Sequence, residues 1–178
     1  MISVVVPVHE EERTVALLYD ELQSALDPVG QPWEAVFVDD GSTDGSFAAL
    51  TRLHDAQDNV RVVRLRRNFG KAAALAAGFA NAQGDVVVTI DADLQNDPRD
   101  LPKFLEAIQT SDCVCGSRIA KRREGDNIIR QISSKIANGV RNWITHETVT
   151  DSGCCYRVFK RECTANLKFF KGMHRFFP

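Results

Sequence analysis

The segment Val86–Gln95 reads VVVTIDADLQ and places an Asp-x-Asp turn directly behind an apolar, β-branched run. The same arrangement occurs twice earlier, where Ser3–Glu10 reads SVVVPVHE and Ala35–Ser42 reads AVFVDDGS. A short apolar run bounded by turn residues is typical of a strand buried in a parallel sheet. Ligands of open α/β sheets bind at the carboxyl ends of such strands. We therefore expect one rim of the sheet to carry five carboxylates: Glu10, Asp39, Asp40, Asp91 and Asp93.

Carboxylates gathered on one rim repel one another unless a positive charge lies among them. A hard divalent cation that carries a phosphorylated ligand would satisfy them, because such ions take oxygen ligands from carboxylates and phosphates. Each turn alone also has a purely structural interpretation, since Asp-Asp-Gly-Ser is a common turn sequence and acidic residues are favoured at helix starts. Their recurrence behind successive strands favours the ligand site.

The bulk composition of the 178 residues, 44% hydrophobic and 26% charged, is that of one globular domain. No apolar run reaches about 18 residues, so we expect no transmembrane helix in this sequence. The first residues lack the basic stretch of a signal peptide. The five cysteines lack the CxxC spacing of zinc sites, so we expect small, buried, apolar side chains in a reducing compartment.

Charge is distributed unevenly along the chain. Residues 1–116 hold 9 Lys and Arg against 19 Asp and Glu, whereas residues 117–178 hold 13 against 5. This asymmetry indicates contact with an anionic partner, either nucleic acid or a membrane surface, and a solvated basic face is the plainer alternative. We expect no nucleic acid, because the basic segment lacks interleaved aromatic residues and any recognisable binding module.

Strands and helices are expected to alternate, which predicts βαβ units and a parallel sheet. Strands are expected near Val5, Val36, Val63, Val87 and Val114. Helices are expected over residues 11–26, after a cap at Ser42 or Thr43, over 71–83 and from Pro98 to Gln109, and Gly78 should permit close approach to a neighbour. Further on we expect a basic loop over 116–126, an amphipathic helix over 127–144, a strand within 150–159 and a helix over 160–171.

Six sequence blocks, taken in order, resemble family 2 glycosyltransferases of GT-A fold, and within them the polyprenyl-phosphate enzymes of the dolichyl-phosphate mannose synthase type. The blocks are Pro7–Glu11, Val38–Ser46, Arg67–Lys71, Asp91–Gln95, Gly116–Arg118 and Asp151–Cys154. The resemblance covers essentially the whole chain. It implies an α/β, Rossmann-like, mostly parallel sheet flanked by helices, in one catalytic domain over residues 1–178 that is truncated before an interfacial helix or membrane spans.

The resemblance implies inverting transfer of a sugar from a UDP- or GDP-sugar to a polyprenyl phosphate, such as undecaprenyl or dolichyl phosphate. The work would take place at the cytoplasmic face of a membrane, and a homo-oligomer is compatible with it. The sugar and the choice between UDP and GDP stay open. Two alternatives also stay open: a soluble family 2 transferase acting on a glycan or protein, and a non-catalytic phosphate-binding or signalling module.

The family pattern also implies roles for individual residues. Asp91 and Asp93 would hold Mg²⁺ or Mn²⁺ on the donor diphosphate, where the metal neutralises the departing nucleoside diphosphate, so Asp93 also counts as catalytic. Asp39 would contact the base, and Lys71 would contact phosphate or sugar unless it is an ordinary solvent-facing lysine. The donor-binding set is Pro7, Val8, Glu10, Asp39, Asp40, Lys71, Asp91, Ala92, Asp93 and Gln95.

Asp151 lies where the family places its candidate catalytic base. A lipid phosphate has a second pKa of about 6 and is largely ionised already, so Asp151 would then orient the acceptor or bind metal instead. The acceptor phosphate itself requires cations, and arginine offers bidentate geometry. The expected acceptor-phosphate set is Arg118, Arg122, Arg130 and Lys135. Anionic lipids at a membrane surface would attract the same basic segment.

Overall fold

The structure, a computed structural model, describes residues 1–116 and 154–165. Within these residues a single sheet holds six strands. They are β1 (Ile2–Val8), β2 (Trp33–Asp39), β3 (Val60–Arg64), β4 (Val86–Thr89), β5 (Cys113–Cys115) and β6 (Arg157–Lys160). The strand order across the sheet is β3-β2-β1-β4-β6-β5.

The first four strands run parallel, with β1 between β2 and β4. Val8 pairs with Asp39, so the turns after β1 and β2 begin at the same level of the sheet. The expected mostly parallel α/β sheet is therefore confirmed. Beyond β4 the sheet is antiparallel, because β6 lies between β4 and β5 and runs antiparallel to both.

In the described part of the chain, the strands are connected or followed by five helices: α1 (Val15–Leu26), α2 (Ser46–Ala56), α3 (Lys71–Asn81), α4 (Leu101–Ala107) and α5 (Arg161–Ala165). Short 3₁₀ turns flank them at Asp27–Val29, Pro98–Asp100 and Ile108–Thr110. The expected helix cap at Ser42 or Thr43 is wrong, because α2 begins only at Ser46. The Ser42 hydroxyl instead accepts a hydrogen bond from the Glu10 backbone N–H, at 3.1 Å.

The two faces of the sheet bury different sets of side chains, as the alternation of strand residues requires. Val4, Val6 and Val8 of β1 pack with buried residues of α1, α2 and α4. Val5 points to the other face and packs in a smaller cluster with α3. Both faces of β1 are thus covered by helices, which explains its uninterrupted apolar sequence.

The cysteines differ from expectation. None is in a disulfide, and Cys154 is buried as predicted. Cys155 and Cys163 are only half-buried, and Cys113 and Cys115 are exposed. The prediction of uniform burial is wrong because β5 is an edge strand, so its side chains lack the cover that central strands receive.

Several expected features lie outside the described residues. They are the helix over 127–144, Asp151, and the acceptor-phosphate set of Arg118, Arg122, Arg130 and Lys135. Among residues 1–116 and 154–165, no helix has the length and apolar character that crossing a bilayer demands.

Gly78 makes the close approach between α3 and the sheet that the sequence predicted. A Cβ atom at this position would lie 2.2 Å from Cγ1 of Val5 and 3.3 Å from Cγ2 of Val38. Both valines are fully buried. A side chain at residue 78 would therefore push α3, and with it Lys71 at its first turn, away from the sheet.

We predict that Gly78→Val lowers the free energy of unfolding by about 1–3 kcal/mol, the usual cost of overpacking a core. Urea denaturation followed by circular dichroism measures the change. Ala80→Val is the matched control, because residue 80 is exposed on the same helix and should lose less than about 1 kcal/mol. Equal losses in the two variants would contradict the packing argument.

Candidate active site at the carboxyl ends of the strands

A cavity of about 350 Å³ opens at the carboxyl ends of β1, β2 and β4. Seven of the ten predicted donor-binding residues line it: Pro7, Val8, Asp40, Lys71, Asp91, Ala92 and Asp93. The structure thus brings together three sequence blocks that are far apart in the chain. Glu10, Asp39 and Gln95 are not among the lining residues.

The Asp91–Gln95 turn presents two carboxylates to this cavity. Asp93 Oδ1 accepts a hydrogen bond from the Gln95 backbone N–H at 3.1 Å, and Leu94 between them has a left-handed φ of 58°. This local bond stabilises a conformation that a leucine rarely adopts. The turn therefore fixes the direction of Asp93 before any ligand binds.

Lys71, the first residue of α3, lies against Asp91. Its Nζ donates to Asp91 Oδ1 at 2.5 Å. Burial by itself lowers the pKa of the Lys71 ammonium, but the Cys155 thiol and the Asp91 carboxylate outweigh burial and raise that pKa above its ordinary value. Lys71 therefore remains a cation in the cavity lining, suited to an anionic ligand, and its side chain is 36% exposed.

Cys154 and Cys155, which precede β6, contact residues on either side of the Asp91–Gln95 turn. Thr89 Oγ1 donates to the Cys155 carbonyl at 2.5 Å, and the Cys154 thiol lies 3.8 Å from Asn96 Oδ1. Burial, followed by the negative charge of Asp91, raises the pKa of the Cys155 thiol to about 12, although Lys71 opposes the shift. Cys155 is thus a neutral thiol beside the two charged groups.

Asp40 acts on the loop that carries Lys71. Its two carboxylate oxygens accept the backbone N–H groups of Phe69 and Gly70, at 2.8 and 2.9 Å. Gly70 has a φ of 93°, which favours glycine, and its carbonyl accepts hydrogen bonds from the first turn of α3. Asp40 therefore positions the start of α3.

Asp39 is fully buried beneath the same turn. Its Oδ1 accepts the Ser42 backbone N–H at 3.0 Å, and its Oδ2 lies 3.4 Å from Arg64 Nε. Among the described residues, no group donates a hydrogen bond to Oδ2 with good geometry. A buried carboxylate oxygen with one distant cation is an under-satisfied acceptor.

Glu10 has a structural role. Its carboxylate accepts hydrogen bonds from the Thr43 backbone N–H at 2.7 Å and the Thr43 hydroxyl at 3.0 Å. The residue has a left-handed φ of 59°, and its own N–H donates to Ser42. Glu10 thus ties the turn after β1 to the turn after β2, outside the cavity.

The carboxylate pair fits a divalent cation that shares its ligands with a diphosphate. Within the described parts of the chain, no three His, Cys, Asp or Glu side chains form a metal-binding group. Mg²⁺-type sites often use one or two carboxylates and take their other oxygens from substrate phosphates and water. Asp91 and Asp93 would supply those two carboxylates.

Sequence reasoning assigned no role to several residues that line the cavity: His9, Glu11, Asn68, Gly70 and Ala74. His9 Nε2 and Asn68 Nδ2 lie 2.9 Å apart. Both residues line the cavity and also a second cleft of about 790 Å³. The second cleft is basic, since Arg64, Arg66 and Arg67 line it. The sequence identified the Arg67–Lys71 block, but it did not predict that the backbone of this block donates hydrogen bonds to Asp40.

A family model described as glycosyl transferase family 2 matches residues 3–167. The chain belongs to glycosyl transferase family 2. The resemblance predicted from the six sequence blocks is thereby confirmed at the level of the family.

Two curated relatives cover nearly all of this family 2 chain. The undecaprenyl-phosphate 4-deoxy-4-formamido-L-arabinose transferase of Pectobacterium carotovorum subsp. carotovorum (strain PC1) is 36% identical over 99% of this chain and 54% of its own length. The dodecaprenyl-phosphate galacturonate synthase of Rhizobium johnstonii (strain DSM 114642 / LMG 32736 / 3841) is 34% identical over 99% of this chain and 53% of its own. The chain therefore spans about half the length of the curated relatives it matches.

Two solved structures share the fold. Glucosyl-3-phosphoglycerate synthase from Mycobacterium tuberculosis, with Mn²⁺ and UDP-glucose, has a TM-score of 0.70 at 23% identity, covering 97% of this chain and 60% of that one. The mannosyltransferase PcManGT from Pyrobaculum calidifontis, with GDP-Man and Mn²⁺, has a TM-score of 0.66 at 23% identity, covering 95% and 47%. At these identities the likeness shows the fold alone, and it confirms the expected GT-A class.

We predict that Asp40→Asn loosens the loop before α3. Asparagine offers one acceptor oxygen where two backbone N–H groups need partners, so the variant should lose about 1–3 kcal/mol of stability. Hydrogen–deuterium exchange should accelerate at the amides of Phe69 and Gly70. Asp55→Asn, at an exposed position of α2, is the matched control. Unchanged protection of these two amides would contradict the positioning role.

Proposed function

We propose that this family 2 chain transfers a sugar from a nucleoside-diphosphate sugar to a polyprenyl phosphate, with inversion and with Mg²⁺ or Mn²⁺. The observation that carries the proposal is the meeting of Asp91, Asp93 and Lys71 in one cavity at the carboxyl ends of the parallel strands. A metal ion on the two carboxylates and the Lys71 ammonium would together suit a diphosphate, because negative charge develops on the diphosphate as its bond to the sugar breaks.

The donor would lie across this cavity with its diphosphate at Asp91 and Asp93. The metal, when bound, would stabilise the leaving nucleoside diphosphate as a Lewis acid. Lys71 would bind a phosphate oxygen or the sugar from the opposite side. Two structural neighbours contain a nucleotide sugar and Mn²⁺, which supports a donor of this class. It leaves open the choice between UDP and GDP.

The nucleoside would lie toward Pro7, Val8 and Asp40. Asp39 is the proposed partner for an N–H group of the base, because its buried Oδ2 is an under-satisfied acceptor. Asp39 has no exposed surface, so this contact requires the Arg64 side chain, which is 53% exposed, to move aside.

The acceptor assignment draws on the relatives, since both carry a polyprenyl phosphate in their names. We assign the acceptor phosphate to Arg118, Arg122, Arg130 and Lys135, and the orienting or base role to Asp151. These residues lie outside the described part of the chain. The chemical support is that a phosphate monoester requires cations. The positional support is that Cys154, the last residue of the Asp151 block, contacts Asn96, and that the next residue, Cys155, contacts Thr89, on either side of the Asp91 turn.

Membrane association follows from the proposed acceptor, whose isoprenoid chain resides in a bilayer. Basic side chains near such a surface gain about 1 kcal/mol each from anionic lipids. The excess of cations in residues 117–178, 13 Lys and Arg against 5 Asp and Glu, agrees with a location at the cytoplasmic face.

The direct test offers the purified protein radiolabelled UDP- and GDP-sugars with Mn²⁺, and either undecaprenyl phosphate in detergent or soluble glycan acceptors. The proposal expects label to move into the organic phase with undecaprenyl phosphate only. Transfer to the soluble acceptors alone would identify a soluble family 2 transferase. Absence of nucleotide binding as well as transfer would favour a non-catalytic module.

We predict that Asp93→Asn lowers kcat by about 10²–10³-fold, because a weakened metal no longer stabilises the leaving diphosphate. The melting temperature should remain unchanged, since the side-chain oxygen can still accept the Gln95 amide. Asp58→Asn, at an exposed position distant in sequence from the cavity lining, is the control. Near-normal turnover with normal metal dependence would remove Asp93 from the metal site.

We predict that Arg118→Gln and Arg130→Gln raise KM for undecaprenyl phosphate about 10-fold or more, the effect of losing a charge-assisted hydrogen bond. Donor KM should barely change. Arg52→Gln, on exposed α2 surface, is the matched control. If the substitutions instead raise donor KM and leave acceptor kinetics alone, these arginines bind the donor.

A further inference from the structure

Two exposed thiols stand next to each other on the edge strand β5. Cys113 and Cys115 are separated by one residue, so strand alternation directs both side chains to the same face. Their Sγ atoms lie 3.8 Å apart. Neither thiol belongs to a disulfide, and neither lines the cavity that holds Asp91 and Asp93.

The separation of the two sulfur atoms matches a shared metal ion. In a tetrahedral site with metal–sulfur bonds of about 2.3 Å, two sulfur ligands lie about 3.8 Å apart. The observed distance of 3.8 Å already has this value, without a change of backbone. The strand therefore holds the two thiols in the geometry of two ligands on one ion.

A disulfide between these residues would need a larger change in geometry than a shared metal ion would. Positions two apart in a strand have Cα atoms about 6.6 Å apart, at the upper limit of about 6.8 Å for bridged cysteines. The sulfur atoms would also have to approach to about 2.05 Å. Forming the bond would distort β5 and its pairing with β6.

We infer that Cys113 and Cys115 form a two-sulfur site for a soft, thiophilic d¹⁰ metal ion such as Zn²⁺, Cu⁺ or Cd²⁺. Soft ions prefer thiolate ligands, whereas the carboxylate pair at Asp91 and Asp93 suits a hard ion. The two sites would therefore select different metals. Water or a small external ligand would complete the coordination.

Binding of a divalent ion is a proton exchange: both S–H bonds break, two metal–sulfur bonds form, and two protons leave to solvent.

The half-buried Cys163 lies on α5, which directly follows β6, the strand that pairs with β5. It is not counted as a ligand, because no three candidate side chains in the described ranges converge on one metal position. Cys163 therefore offers the matched control for the two ligands: a nearby thiol outside the site.

The test titrates the reduced, metal-stripped protein with Cd²⁺ and follows the ultraviolet sulfur-to-cadmium charge-transfer band. This band reports thiolate ligands and ignores carboxylate sites. We expect saturation at one Cd²⁺ per chain. Cys113→Ser and Cys115→Ser should each weaken binding at least about 10-fold, the effect of losing one of two ligands. Cys163→Ser should bind as the parent does.

Absence of the band in the parent protein would overturn the inference, as would undiminished binding after Cys113→Ser or loss of binding after Cys163→Ser. A second experiment alkylates the unaltered protein, so its result does not depend on whether the variants fold. With Cd²⁺ bound, iodoacetamide should fail to modify Cys113 and Cys115, as peptide mass spectrometry would show. Equal modification with and without Cd²⁺ would also reject the site.

Discussion

Mutual repulsion among carboxylates at the ends of β1, β2 and β4 is the constraint around which the rim is built. Each carboxylate has a different compensating partner. Glu10 accepts from Thr43, Asp40 accepts from two backbone amides, and Asp91 pairs with Lys71. The partners are mostly backbone N–H groups, which neutralise charge without adding a cation. The turn after β4 contributes two of the carboxylates that line the cavity, Asp91 and Asp93.

The acidic rim therefore has two parts with different roles. The turns after β1 and β2 form a frame, with hydrogen bonds between residues 32 to 33 positions apart. The turn after β4 holds Asp91 and Asp93, the carboxylates proposed to bind the donor diphosphate through a metal ion. Lys71 links the two, because the loop that carries it is fixed by Asp40 while its ammonium contacts Asp91. Changes in the frame should therefore shift Lys71 within the proposed diphosphate site.

The sequence alone was sufficient for the parallel strands, for the helix after Gly70 and for the packing role of Gly78, because each depends on local pattern. It was also sufficient to collect most of the cavity residues, because strand ends of a parallel sheet meet at one edge. It could not assign partners to carboxylates. That Glu10 binds Thr43 and that Asp40 binds the loop at Phe69 depends on how distant segments return, which no periodicity reveals. The exposure of Cys113 likewise depends on the position of β6 between β4 and β5, which leaves β5 at the edge of the described sheet.

The large distance in sequence between β4 and its partner β6 has a consequence for synthesis of the chain. Val87 of β4 pairs with Phe159, more than seventy residues later, and among the described strands β5 pairs only with β6. Until residues 157–160 leave the ribosome, the outer edge of β4 offers unsatisfied backbone groups to any passing strand. Contacts this distant in sequence also slow folding. A nascent or prematurely terminated chain should therefore depend on chaperones until β6 covers the edge of β4.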